Sequence, residues 1–78
     1  MEVRVLLHGS LRRSRPDYNQ DRGLELSLTE GSTLGDLLEH LGLTDTPLMA
    51  AVDGRVLKAD DGLTPGRTVR LFDLLSGG

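Results

Sequence analysis

Leu24-Glu25-Leu26-Ser27-Leu28-Thr29 runs through Glu30-Gly31-Ser32-Thr33 into Leu34-Gly35-Asp36-Leu37-Leu38-Glu39-His40-Leu41-Gly42, and along it the apolar period changes from two to nearly four. Leucines at every second position predict a strand with one buried face. Leu34, Leu37, Leu38 and Leu41 fall on one stripe of a helix. Thr33 has the chemistry of an N-cap, Asp36 that of the third residue answering it, and Gly42 that of a C-terminal stop. Gly35 in the first turn costs up to about 1 kcal/mol relative to alanine, so packing on a sheet must hold this helix, not propensity. A one-faced strand followed by a one-faced helix predicts an α+β layer fold.

Working outward, Val3, Val5 and Leu7 alternate with polar neighbours as a first strand, and Arg12 to Arg22, polar and interrupted by Pro16, reads as a loop of about ten residues. After Pro47, Leu48-Met49-Ala50-Ala51-Val52 meets Asp53-Gly54 and continues as Arg55-Val56-Leu57, the signature of a hairpin. Asp60-Asp61-Gly62 and Pro65-Gly66 are turn chemistry; adjacent aspartates beside a glycine in a turn are no catalytic dyad. Thr68-Val69-Arg70-Leu71-Phe72 closes the chain as a strand with Val69 and Leu71 inward. The expectation is one mixed sheet crossed by one main helix, with the first and last strands paired centrally. Residues 1–78 are expected to form a single domain with a flexible tail at about 73–78.

Seventy-eight residues bury only about 60% of their unfolded surface and leave little room for an enclosed active site. The chain has no cysteine, hence no thiol nucleophile or thiolate metal site. A net charge of −3 argues against nucleic acid as the main partner. No signal peptide or membrane span is legible, so the expected location is cytoplasmic. No Ser-His-Asp order, glycine-rich phosphate loop or paired carboxylate appears, so any catalysis belongs to a complex. His8 and His40 lack a second ligand at metal spacing and are expected to be solvated.

Leu75-Ser76-Gly77-Gly78 ends the sequence on two glycines. A Gly-Gly end can thread a narrow slot, and its carboxylate meets an incoming nucleophile with no side chain in the way. Small polar residues are also common at any chain end.

The stretches Ala51-Val52-Asp53-Gly54, Leu63-Thr64-Pro65-Gly66, Val69-Arg70-Leu71-Phe72 and Ser76-Gly77-Gly78, with Leu7-His8-Gly9-Ser10-Leu11-Arg12 and Glu30-Gly31-Ser32-Thr33-Leu34, occur in an order and spacing that resembles the ubiquitin-like β-grasp sulfur carriers. The similarity is nearest to the small subunit of molybdopterin synthase. It implies a β-grasp fold and a carrier cycle. A separate adenylating enzyme, using its own ATP and Mg²⁺, activates Gly78; a sulfur donor converts it to a thiocarboxylate; and the tail of Gly77, Ser76 and Leu75 enters the synthase large subunit. No cofactor would be bound by the chain itself. Carriers for thiamine or a tungsten cofactor, and protein modifiers attacked by lysine, share the activation step. A plain interaction domain would not need it.

Phe72, outward by strand parity, is a candidate interface anchor, and the resemblance implies partner contacts at the positions of Phe72 and Val56. Leu6 shares the outward parity, and His8 is placed to rim the same surface. The sequence departs from the family at Asp73-Leu74-Leu75, where a Pro-Pro pair is usual, at His8, where an apolar aromatic is common, and in its longer Arg12–Arg22 loop. The four arginines of that loop are expected to be solvated and partly balanced by Asp17 and Asp21.

Overall fold

The computed structural model describes residues 1–13, 15, 18 and 22–74. Its elements are β1 (Glu2–Leu7), α1 (Ser10–Arg13), β2 (Leu24–Ser27), α2 (Leu34–Leu41), β3 (Leu48–Val52), β4 (Arg55–Leu57) and β5 (Thr68–Asp73). The five strands make one sheet in the order β2-β1-β5-β3-β4. β1 and β5 pair in parallel at its centre, and every other pair is antiparallel.

The inward residues of β1 (Val3, Val5 and Leu7) meet Val69 and Leu71 of β5, Ala50 of β3 and the α2 stripe of Leu34, Leu37 and Leu41, all of them buried. Leu24, Leu26 and Leu28 are half-buried against this core, as expected of leucines on an edge. The hairpin turn is Asp53-Gly54 with positive φ at both residues (51° and 80°), which is the two-residue geometry whose twist matches that of its strands. It fixes the register Val52 to Arg55, Ala51 to Val56 and Ala50 to Leu57.

Helix α2 begins where the sequence places it. Thr33 Oγ1 accepts from the Asp36 amide at 3.2 Å, and Asp36 Oδ2 accepts from the Thr33 amide at 2.9 Å, a reciprocal box. The two remaining amides of the first turn are satisfied from outside the helix: Leu34 N–H donates to Asp61 O (2.9 Å) and Gly35 N–H to Ala59 O (2.8 Å). A Cβ on Gly35 would stand 3.2 Å from Ala59 O, tighter than ordinary contact, so glycine here permits the loop to approach. Asp60-Asp61-Gly62 is therefore more than a turn, because the Asp61 carbonyl, with that of the preceding Ala59, anchors the helix start. At the other end Gly42 is left-handed, and its amide reaches back to Glu39 O and Leu38 O.

Three expectations need correction. Leu38 is half-buried, whereas Leu37 is wholly buried; the stripe centres on Leu34, Leu37 and Leu41 and leaves Leu38 on its margin. The segment after β1 contains the short helix α1, which sets Leu11 in the core. A four-residue helix with one apolar side chain has no period to detect. The Arg12–Arg22 segment is also not simply solvated. Arg15 Nη2 donates to Leu41 O at 2.7 Å, at the negative end of α2, and Tyr18 Oη accepts the Leu7 amide at 2.9 Å. That amide points toward β2, whose pairing with β1 stops at Val5 opposite Leu24, so the phenol replaces a missing ladder bond. Among the described residues no helix is long and apolar enough to cross a membrane.

Truncating Leu37 to alanine is expected to cost about 2–5 kcal/mol through lost burial and a residual cavity. Leu38→Ala should cost clearly less. Urea unfolding checks this: both midpoints fall with an unchanged slope, Leu37→Ala the further.

Candidate docking face and carrier tail

The face of the sheet away from α2 is assembled by register. Leu6 of β1 pairs with Arg70 of β5, Arg70 with Ala51 of β3, and Ala51 with Val56 of β4, so these four form one row across the sheet. In the next row, Met49 pairs with Phe72, and the ring of His8 lies flat on that of Phe72 with centroids 4.6 Å apart and an interplanar angle of 9°. Among the described residues, the large apolar side chains that are clearly exposed are Met49 and Val56 on this face, and Leu74.

All of Leu6, His8, Val56 and Phe72 thus lie on one surface, but not in one cluster. Leu6 and Val56 sit on its opposite margins, roughly 14 Å apart across three strand spacings. Between them lie Met49, Ala51 and Arg70. Strand parity at Phe72 also places Arg70 on this face, and the hairpin could have located the other two, because a two-residue turn sets Ala51 opposite Val56 and Met49 shares the face of Ala51. Phe72 is half-buried by its histidine partner and not fully outward.

His8 is not the solvated histidine expected. Its Nε2 is buried and, among the described residues, has no hydrogen-bond partner. Burial, then the guanidiniums of Arg70 and Arg12, lower its pKa from the ordinary value of 6.5, which favours the neutral ring. Stacking on Phe72 suits a neutral imidazole in the place of a second aromatic ring. His40 is exposed in the last turn of α2. Among the described residues no group of three or more His, Asp or Glu side chains could hold a metal ion.

The row of His8, Phe72 and Met49 is also the one nearest the tail. β5 ends at Asp73, and the Leu74 amide still donates to Pro47 O at 3.3 Å beside β3, so the chain leaves the sheet alongside this row. Leu75, Ser76, Gly77 and Gly78 lie outside the described residues, as do Asp17 and Asp21.

The ThiS family matches this chain over residues 5–78, nearly its whole length. No curated protein sequence matches it. The crystal structure of SAMP1 from Haloferax volcanii aligns with a TM-score of 0.76 over 100% of both chains at 18% identity, a likeness of fold. The fold is the ubiquitin-like β-grasp: a mixed five-stranded sheet with one main helix across it.

The lowered His8 pKa has a definite sign. The unfolded chain takes up a proton near pH 6.5 and the folded chain resists it, so stability falls as pH drops through 6.5 and levels off below the folded-state pKa. Above pH 6.5 the group contributes no slope. His8→Phe should remove this component and raise stability at pH 5, as measured by denaturant melts across pH, because an unpaired buried nitrogen is replaced by carbon.

Proposed function

The chain belongs to the ThiS family of ubiquitin-like sulfur carriers, and from that premise we propose that it carries sulfur on Gly78 for molybdopterin synthesis, as the small subunit of a molybdopterin synthase. The observation that carries the reading is a family match running through Gly77-Gly78, on a chain whose last strand ends at Asp73 next to an apolar row of the outer sheet face.

A carboxylate resists acyl transfer because its oxygen is a poor leaving group. In the proposed cycle a Gly78 oxygen attacks the α-phosphate of ATP and pyrophosphate departs, with Mg²⁺ on the activating enzyme offsetting the phosphate charge. The acyl-adenylate then accepts sulfur from a donor and releases AMP. With no cysteine in the chain, that sulfur comes from outside. This chain's part is to present the tail: Leu75 and Ser76 lead Gly77-Gly78 into the partner, and no side chain shields the carbonyl. Its own residues supply no acid, base or metal, so it works as the carrier subunit of a sulfurtransferase complex. The proposed location is the cytoplasm, where ATP is available to the activating enzyme.

The docking face engages the same partners. Phe72 with His8 and Met49 forms the apolar centre nearest the tail, with Leu6 and Val56 at the margins. The molybdopterin assignment is supported by the order of Ala51-Val52-Asp53-Gly54, Leu63-Thr64-Pro65-Gly66 and Val69-Arg70-Leu71-Phe72, the tracts most similar to the synthase subunit.

Deleting Gly78, or adding a residue after it, should abolish ATP–pyrophosphate exchange with the cognate adenylating enzyme and leave thermal unfolding unchanged. Normal exchange by the truncated chain would overturn the carrier reading. The intact mass of protein from its native host should show an oxygen-to-sulfur exchange confined to Gly78; lysine-linked adducts in its place would mark a protein modifier. Conversion of the pterin precursor with purified large subunit, against the corresponding thiamine reaction, decides the pathway. Phe72→Asp should weaken binding to the activating enzyme or large subunit by about 2 kcal/mol, measured by calorimetry.

A further inference from the structure

The arginines of this chain differ in how they are matched. Arg67 is paired with Asp53 at 3.0 Å, Arg4 with Glu25 at 3.7 Å, and Arg15 is spent on Leu41 O. Arg70 stands in the centre of the outer sheet face, exposed, between Leu6 and Ala51, and Arg12 is exposed on α1. Arg70 shares the outer face with Phe72 two positions along β5, and Arg12 on α1 follows His8 by four residues. Among the described residues neither has a carboxylate within ion-pair distance. In a protein of net charge −3, the apolar row at the end of β5 is therefore bordered by positive charge that no carboxylate among the described residues pairs.

A surface that docks on Phe72 must cover Arg70, which is two residues away on the same strand and the same face. Covering a guanidinium without an acceptor strips its water at a cost of several kcal/mol, and a carboxylate facing its fork restores the hydrogen bonds. A neutral apolar partner would be penalised here, and a basic one repelled. The nearby charges also discourage protonation of His8, which preserves the flat stack on which such a partner would rest.

We propose that the partner seated on the His8–Phe72 stack presents carboxylates to Arg70 and Arg12, so that this face accepts a protein surface with an apolar centre and an acidic rim. This rests on the reading that the outer face docks the activating enzyme, and it adds the charge of the docking site. Opposite charge across the interface speeds the encounter and excludes wrong partners.

The test is association kinetics with the host's adenylating enzyme at two ionic strengths. Arg70→Glu should slow association at least about tenfold at low salt, with Arg70→Gln intermediate and Arg12→Glu in the same direction. Arg55→Glu carries the same change in net charge but pairs with Val52 on the α2 side of the sheet, and should leave association close to that of the parent. Circular dichroism melts confirm that each variant is folded. The proposal is overturned if Arg70→Glu behaves like Arg55→Glu, or if parent association does not respond to salt. Failure of the underlying reading looks different: Phe72→Asp would then bind the enzyme as tightly as the parent.

Discussion

The parallel pairing of β1 with β5 is the constraint on which the rest of the structure depends. It joins the two ends of the sequence at the middle of the sheet, with Val5 beside Val69 and Leu7 beside Leu71, all buried under α2. Parallel strands cannot be joined by a tight turn, so everything between them is crossover: β2 on one flank, α2 over the face, and the β3–β4 hairpin on the other flank. The same register sets Leu6 beside Arg70 on the opposite face. One set of backbone hydrogen bonds thus fixes the core on one side and the candidate docking face on the other.

The helix is tied to this frame at both ends by groups outside it. Its start takes carbonyls from Ala59 and Asp61, and its end gives a carbonyl to Arg15. An eight-residue helix is too short to persist alone in water. The caps and the buried leucines hold it, and through it they hold the 58–62 turn and the segment following α1. On the proposed reading these groups act only through the sheet, whose register keeps the row of His8, Phe72 and Met49 together beside the end of β5.

His8 shows a local conflict between stability and surface chemistry. An apolar aromatic would fill the same place without burying an unpaired nitrogen. Imidazole keeps the flat contact with Phe72 while standing among guanidiniums, and so joins an apolar patch to a positively charged border.

Much of the fold was legible because short-range chemistry decides it. The period-two leucines of β2, the Thr33–Asp36 box, the Gly42 stop and the Asp53-Gly54 turn are each set by contacts within a few residues. Family tracts and the glycine tail carried the functional reading in the same way. What the sequence by itself did not determine depended on distant groups. Leu37 and Leu38 look alike on a helical wheel, and only the angle at which α2 lies on the sheet buries the first more deeply than the second. Arg15 and Tyr18 look like polar loop residues until Leu41 and Leu7 supply their partners. His8 looks solvated until β5 brings Phe72 and Arg70 beside it, because residues remote in sequence meet only when the central strands pair, and burial and charge at a site are properties of that meeting.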